Sequence, residues 1–251
     1  MPVIPRDKII VALDCSEQRA LDLAQQLKGR ASWLKVGMTL YYAAGPRIVQ
    51  TLKEQGFKVF VDLKLHDIPH QARGAAQSVV AAGADMLTVH GSGGLPMLQA
   101  AQEGADEAFA QFAPTHESSA ASVGEPLREK PITLAVTVLT SLDEATLQQV
   151  GVTRTLEQQV AALAQLAQKA GLTGVVASPR EAETLRTLLG SKAAIVCPGV
   201  RPSGSAQGDQ SRVSAPQEAL RAGASYLVIG RPITDAPDPA AALEAIVAEL
   251  S

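Results

Sequence analysis

Eight short apolar runs, rich in β-branched residues, recur along the 251-residue chain, and longer alanine- and leucine-rich amphipathic segments separate them. This alternation is typical of repeated βα units around a parallel sheet. Eight such units in about 250 residues is the usual size of a (β/α)₈ barrel. We therefore predict an α/β fold in which residues 1–251 form a single (β/α)₈ barrel domain. The runs are KIIVALD ending at Asp14, WLKVGM around Lys35, KVFVDLKL ending near Leu65, MLTVHG around Val89, TLAVTVLT ending at Thr140, GVVAS ending at Ser178, AAIVCPGV ending near Gly199 and YLVIGRP ending near Arg231.

An open doubly wound sheet is the alternative architecture, but it often has a glycine fingerprint after the first strand, where this chain has ALDCSEQ.

One segment interrupts the repeated pattern. Residues 113–131 are polar, aperiodic and contain Ser and Pro, which predicts a surface insertion between the fourth helix and the fifth strand. That position lies at the end of a barrel that usually serves stability.

Composition excludes several classes of function. A formal net charge of −3 gives no basic field for a nucleic-acid backbone. The two cysteines, Cys15 and Cys197, are far apart and lack metal-ligand spacing, so we predict neither a disulfide framework nor a zinc site. The apolar run in MPVIPRDKIIVALDCSE is too short for a signal peptide or a membrane span. We predict a cytoplasmic protein with neither nucleic acid nor membrane as a partner.

The third run, VFVDLKLHDIPH, places charges inside an apolar strand. Because side chains alternate across a strand, Phe60, Asp62 and Lys64 share one face, and the intervening apolar residues face the helices. Asp62 and Lys64 then point into the barrel mouth, where Asp14 and Lys35 arrive from neighbouring strands. A buried structural ion pair is the alternative interpretation. Buried charges are costly and cluster at functional sites, so two acids and two lysines at strand ends favour a functional site.

The residues beyond the strands carry weaker signals. Asp67 follows the third strand, and its alternative role is to cap the next helix, for which Pro69 suits the first turn. After the seventh strand, PGVRPSGSAQGDQSR at residues 198–212 is either a flexible linker or a phosphate-binding loop, because barrel phosphate sites often use the loops after strands seven and eight. Arginine suits bidentate recognition of phosphate. The phosphate candidates are Arg201, Gln210, Gly230 and Arg231.

The histidines are treated as structural by default, since no pair has metal-ligand geometry, and His90 alone stays a pocket candidate. They are His66, His70, His90 and His116.

The order of several motifs resembles one family through nearly the whole chain. These motifs are ALD with Asp14, LKVG with Lys35, DLKLHDIP, TVLTS, PGVRPSGSAQGDQ and IGRPI. Together they resemble the bacterial type of the orotidine 5′-phosphate decarboxylase family. The DxK pattern alone also occurs in related sugar-phosphate decarboxylases and synthases, whereas the loop ending in GDQ is the more specific signal.

The resemblance implies a cofactor-free and metal-free decarboxylation of orotidine 5′-monophosphate to uridine 5′-monophosphate, the last step of pyrimidine nucleotide synthesis. It implies that Lys64 donates a proton to C6 of the pyrimidine and that Asp62 sits against the substrate carboxylate. Lys35 and Asp67 would complete an alternating charge network. The family pattern supplies Asp67 from the partner subunit of a homodimer.

The resemblance also assigns substrate contacts. Asp14 and Lys35 match positions that hold the ribose hydroxyls, and Thr140 matches the residue at the pyrimidine edge. Arg201 stands at the base of the phosphate loop. The phosphate ligands would be Gln210, Gly230 and Arg231, and the further binding residues Ile68, Gln71 and Pro198. The sequence departs from the family at His70 and Gln71, where Asn and Thr are more common; Gln71 is expected to reach the ribose across the subunit interface.

Two other functions stay open from the sequence. A metal-dependent sugar-phosphate decarboxylase or synthase of the same suprafamily would need an additional acidic ligand near Lys35, where LKVGMT offers none. A non-catalytic phosphate-binding barrel would be a regulator or scaffold, and the intact acids and lysines on the catalytic face argue against it.

Overall fold

Eight parallel strands close into a barrel in a computed structural model that describes residues 5–112, 129–201 and 214–250. Each strand pairs with its sequence neighbours, and the first strand also pairs with the last, so the sheet has no free edge. The predicted fold class is confirmed. The strands are β1 Ile9–Ala12, β2 Trp33–Gly37, β3 Lys58–Leu65, β4 Met86–His90, β5 Ile132–Val136, β6 Gly174–Val176, β7 Ala194–Cys197 and β8 Tyr226–Ile229.

Helices surround the barrel, and the described part of the chain has more of them than one for each strand. Two helices follow β2, β5 and β8. After β2 the break has a local cause, because Gly45 has a φ of 71° and Pro46 follows it. The α-helices are α1 Glu17–Leu27, α2 Met38–Ala44, α3 Arg47–Glu54, α4 Pro69–Ala81, α5 Gly94–Phe112, α6 Glu144–Gln149, α7 Leu156–Lys169, α8 Ala182–Leu189, α9 Pro216–Arg221, α10 Arg231–Thr234 and α11 Pro239–Glu249. Short 3₁₀ helices cover Pro5–Lys8, Gly91–Gly93 and Pro179–Glu181.

Several strands end before the sequence pattern predicted. The first apolar run continues to Asp14, but β1 ends at Ala12, and the fifth run continues to Thr140, but β5 ends at Val136. Asp14 and Thr140 therefore lie beyond the ends of β1 and β5, in the loops at the barrel mouth.

The barrel axis is filled by side chains that point inward at alternate positions along the strands. They form one apolar cluster, separate from the larger cluster between strands and helices. On β3, Phe60 belongs to the inner cluster, whereas Val61 and Leu63 belong to the outer one, as the alternation predicted. The buried members of the inner cluster are Ile10, Ala12, Trp33, Phe60, Met86, Leu134, Ala194, Val196 and Val228.

The predicted insertion lies mostly outside the described residues, which lack 113–128. Its last residues connect to β5, and α5 ends just before it. There Glu129 pairs with Lys58 and Lys130 pairs with Asp106, all through largely exposed side chains. The insertion and the 1–251 domain limits stay predictions. None of the described helices combines the length and the apolar character that a membrane crossing requires.

Helices α4 and α5 pack closely because α5 has a glycine where it faces α4. A Cβ atom on Gly104 would overlap the backbone carbonyl oxygen of Arg73, whereas Gly74 on α4 is exposed and has no atom within 4 Å of such a Cβ. An added methyl group would therefore collide with α4 at Gly104 but would have free space at Gly74.

We expect Gly104→Ala to lower the free energy of unfolding by about 1–3 kcal/mol, because the added methyl group has no space. Gly74→Ala should raise it by about 0.5–1 kcal/mol, since alanine restricts the unfolded chain and suits a helix better. Urea denaturation of both variants tests this. Equal effects of the two substitutions would show that the close approach of α4 and α5 does not depend on Gly104.

Candidate active site

The apolar filling of the barrel gives way to a polar layer at the carboxyl ends of the strands. On β2, β3 and β4 the inner cluster contains Trp33, Phe60 and Met86. Two residues further along these strands stand Lys35, Asp62 and Thr88, which therefore point to the same interior. This step from apolar to polar explains why charged residues occur inside strands.

Four side chains of alternating charge form a continuous cluster in and beside this layer. Lys35 Nζ lies 2.9 Å from Asp14 Oδ1 and 3.6 Å from Asp62 Oδ2. Lys64 Nζ donates a hydrogen bond of 2.9 Å to Asp62 Oδ1. The exposed fraction of the side chain is 8% for Lys35, 14% for Asp62 and 60% for Asp14. Asp62 is thus the buried carboxylate that two ammonium groups share.

Asp62 is held in its charged form by its neighbours. Burial alone would raise the pKa of this carboxyl group, but the charges of Lys35 and Lys64 and the hydrogen bonds from Lys64 and Thr88 outweigh it and lower the pKa below its usual value. The carboxylate is therefore ionised at neutral pH and fixes the Lys64 ammonium beside it.

The backbone of Lys64 is unusual. Its φ of 53° lies in the left-handed region, and no other residue except glycine has a positive φ within the described ranges. The register between β3 and β4 shifts here, because Val61 pairs with Leu87 and Leu65 pairs with Val89. Residues 62–64 of β3 thus oppose Thr88 alone. Such bulges often occur beside active sites, where they redirect a side chain.

A cavity of about 640 Å³ opens above the charged cluster. Its size is within the range of small-molecule sites. The structure brings nine residues that the sequence predicted for the site together in its lining: Asp14, Lys35, Asp62, Lys64, Thr140, Pro198, Arg201, Gly230 and Arg231. The lysine end and the arginine end of the predicted site therefore belong to one cavity.

The other predicted site residues lie outside this lining. Asp67, Ile68 and Gln71 are exposed on the segment between β3 and the first turn of α4. The Asp67 carboxylate accepts a hydrogen bond of 2.7 Å from the Ile68 amide, and Ile68 is itself the N-cap of α4, so the alternative role of Asp67 as the helix cap is wrong. Pro69 does begin the helix. Gln210 lies outside the described residues.

Some residues in the cavity lining or beneath it were not found from the sequence. Cys15 and Arg19 line the mouth, and Arg19 donates a hydrogen bond of 2.9 Å to the carbonyl of Thr234 at the end of α10. Thr88 is fully buried beneath the charged cluster. A signal for Thr88 existed, because it is a polar residue at an inward position of a strand, as Asp62 is.

His66 and His90 lie beside the site, and His116 lies outside the described residues. The rings of His66 and His90 stack with 5.1 Å between their centroids. Burial, His66 and Lys64 together lower the pKa of His90. His90 does not line the main cavity, so its role as a pocket residue finds no support. Across residues 5–112, 129–201 and 214–250, no three His, Cys, Asp or Glu side chains are grouped closely enough to hold a metal ion.

The structure is a closed (β/α)₈ barrel. Its charged cluster and the arginines after β7 and β8 line a cavity at the carboxyl-terminal face, where barrel enzymes have their active sites. The chain belongs to the orotidine 5′-phosphate decarboxylase / HUMPS family, whose family model matches residues 7–246.

Individual relatives match almost end to end. The chain is 52% identical to orotidine 5′-phosphate decarboxylase of Moorella thermoacetica over 247 residues, which is 98% of this chain and 92% of the relative. It is 48% identical to the protein of the same name from Nitrosococcus oceani, with 98% of each chain covered. The crystal structure of orotidine 5′-phosphate decarboxylase from Lactobacillus acidophilus superposes with a TM-score of 0.82 at 34% identity, covering 98% of this chain and 99% of that one.

We expect Asp62→Asn to lower the free energy of unfolding at pH 7 by about 3 kcal/mol, because it leaves the buried Lys35 ammonium with less compensation. Asp14→Asn, at an exposed carboxylate, should cost less than about 1 kcal/mol. Since the folded-state pKa of Asp62 is lowered, its charge stabilises the protein above the unfolded-state pKa near 4, and this contribution is lost as the pH falls through the folded-state value. The difference between wild type and Asp62→Asn should therefore persist from pH 7 to about pH 5 and shrink only in stronger acid.

Urea denaturation at several pH values measures both effects. Equal destabilisation by the two substitutions at pH 7 would contradict the central place of Asp62 in the cluster.

Proposed function

We propose that this chain is an orotidine 5′-phosphate decarboxylase, a lyase that converts orotidine 5′-monophosphate to uridine 5′-monophosphate and carbon dioxide in pyrimidine nucleotide synthesis. The observation that carries the proposal is the Lys64 ammonium, held 2.9 Å from the buried Asp62 carboxylate at the base of the cavity. Membership of the family supports the proposal. So do identities of 52% and 48%, over 98% of this chain, to two proteins of that name.

The chemistry explains why an ammonium group is needed at this point. When the bond between C6 and the carboxylate carbon breaks, carbon dioxide leaves and the electron pair stays on C6. The ring has no adjacent electron sink, so catalysis requires a positive charge fixed where the negative charge develops. The Lys64 ammonium would stabilise that carbanion and then transfer its proton to C6. The reaction balances without a cofactor.

Asp62 and Lys35 would organise this lysine. Asp62 Oδ1 accepts a hydrogen bond from the Lys64 ammonium, while Lys35 approaches the other oxygen, so the carboxylate is fixed from both sides. A substrate carboxylate placed against Asp62 would experience repulsion that ends when carbon dioxide departs. Lys35 and Asp14, already paired, would present their outer atoms to the ribose hydroxyls.

The opposite side of the cavity would bind the phosphate. Arg201 follows β7, and Gly230 and Arg231 follow β8, where barrels commonly place phosphate groups. Gln210 would complete this set, and Thr140 and Pro198 would contact the base. Binding energy from the phosphate, remote from C6, can serve to orient the reacting atoms.

We further propose a homodimer in which Asp67, Ile68 and Gln71 reach the partner's cavity. The support is their exposure, since residues 66–71 are all exposed and Ile68 has 64% of its surface accessible. Two other large apolar residues are exposed on α2, after the neighbouring strand: Met38 and Tyr42. An exposed apolar group of this kind fits a protein interface.

We also propose that the protein works in the cytoplasm without a metal. Both cysteines are free thiols, and burial raises the pKa of Cys197 to about 12, so this thiol is inert. This fits a reducing compartment.

The direct test is the loss of orotidine 5′-monophosphate absorbance on adding purified protein in the presence of EDTA. Wild type should turn over fully, and added magnesium should change little. Lys64→Ala should lose at least about three orders of magnitude in kcat while it still binds the nucleotide by calorimetry, because the phosphate and ribose contacts remain. Lys58→Ala, at the other end of the same strand, is the matched control and should keep wild-type kcat.

The outcomes separate the alternatives. Activity that requires a divalent ion, or appears only with a sugar phosphate, would identify the protein instead as a metal-dependent sugar-phosphate decarboxylase or synthase. Nucleotide binding without any turnover would leave a phosphate-binding barrel.

The shared site has its own test. Lys64→Ala and Asp67→Ala proteins should each be nearly inactive, yet regain about a quarter of wild-type activity when refolded together in equal amounts, because half the dimers are mixed and each mixed dimer has one intact site. If Asp67 serves Lys64 of its own chain, every site in the mixture keeps a lesion and no activity returns.

A matched control rearranges the same lesions. The double variant Lys64→Ala/Asp67→Ala, refolded with equal wild type, should retain about a quarter of the activity if sites are shared, since only wild-type dimers are intact. It should retain about half if each chain serves itself. Native mass spectrometry must show that hybrid dimers formed.

A further inference from the structure

Thr88 connects two parts of the charged cluster. It is fully buried on β4, at an inward position where the neighbouring strand bulges. Its hydroxyl oxygen accepts a hydrogen bond of 2.9 Å from the backbone amide of Lys64 and donates one of 3.0 Å to Asp62 Oδ1. A single hydroxyl group therefore contacts the backbone of the lysine and the carboxylate that holds its ammonium.

These bonds form a closed ring that begins and ends on Lys64. From the Lys64 amide the ring passes through Thr88 Oγ1 to Asp62 Oδ1, and from there the ion pair of 2.9 Å returns to Lys64 Nζ. Both ends of the lysine are thus fixed relative to one carboxylate oxygen. A flexible four-carbon side chain is otherwise free to adopt many rotamers.

The bulge explains why a side chain must supply this contact. With residues 62–64 opposite Thr88 alone, the regular ladder is interrupted at Lys64. A buried amide without a partner is costly, and so is a left-handed backbone at a residue other than glycine. The Thr88 hydroxyl satisfies the amide in the conformation that turns the Lys64 side chain inward.

Threonine suits this role because its branched Cβ restricts the side chain at χ1. Valine has the same shape but neither donates nor accepts, and serine keeps the hydroxyl without the restriction. Comparing threonine, valine and serine at this position therefore separates the effect of the hydroxyl group from the effect of side-chain shape.

We propose that Thr88 is a positioning residue for the decarboxylation, acting through the Asp62–Lys64 pair rather than on the substrate. This rests on the proposed function. Without the hydroxyl, Asp62 loses one of its donors and the Lys64 amide loses its acceptor, so the ammonium is less often in the geometry that the carbanion requires.

The experiment compares Thr88→Val, Thr88→Ser and wild type in kcat, KM and their pH dependence with orotidine 5′-monophosphate. Thr88→Val should lower kcat by about tenfold or more and change KM by less than about threefold, because the phosphate and ribose contacts stay. The acid limb of its pH profile should move to higher pH, since the carboxylate is ionised less easily without a donor. Thr88→Ser should recover most of kcat and the wild-type acid limb.

Thr137→Val is the matched control. Thr137 is also buried, and its hydroxyl donates a hydrogen bond of 3.0 Å to the backbone carbonyl of Val176, away from the charged cluster. Its replacement should reduce thermal stability and leave kcat and the pH profile unchanged. If Thr88→Val does not fold, Thr88→Ala replaces it, and Ala and Ser then differ by the hydroxyl alone.

Each result decides the proposal. Wild-type kcat and an unmoved acid limb in the variant without the hydroxyl overturn it, even if the protein melts earlier. An equal loss of kcat in Thr88→Ser and in Thr88→Val or Thr88→Ala also overturns it, because the missing hydroxyl is then not the cause of the loss. Wild-type protein that fails to decarboxylate the nucleotide refutes the proposed function instead, before any Thr88 variant is compared.

Discussion

One buried carboxylate organises the functional end of this barrel. Asp62 is placed between two ammonium groups, and its pKa is lowered because their attraction and its hydrogen bonds exceed the cost of burial. Lys35 extends the alternation of charge to Asp14 at the rim. A lysine without that carboxylate would be costly to bury and free to turn towards solvent, so the geometry of Lys64 depends on Asp62.

The barrel can carry this cluster because its interior is layered. The apolar cluster around Phe60 and Trp33 fills the axis, and the charges begin one alternation later on the same strands. The apolar layer provides the burial energy that stability requires and shields the cluster from water on its lower side. The polar layer faces the mouth, where side chains from separate strands converge on one cavity. Stability and chemistry thus occupy different heights of one sheet.

Much of this was readable from the sequence, and the limits have physical causes. Period-two alternation placed Phe60, Asp62 and Lys64 on the inner face, and the repeated βα pattern gave the barrel. The pattern overestimated strand lengths, because apolar runs continue into loops whose backbone leaves the ladder. The left-handed conformation of Lys64 could not be foreseen, since it arises from the bulge against β4 rather than from the preference of lysine. Threonine is common in strands, so nothing in the sequence distinguishes Thr88 from a threonine with a purely structural role.

Closure of the barrel also has a consequence for how the protein is made. β1 and β8 pair although more than 200 residues separate them, as the register of Ile9 with Leu227 requires. The cavity takes Asp14 from the first unit and Arg231 from the last, so a chain emerging from the ribosome has no complete cavity until its final βα unit is synthesised. Until then β1 has an unpaired edge, which exposes hydrogen-bonding groups to other nascent chains. Acquisition of the substrate site therefore coincides with the disappearance of the last exposed edge.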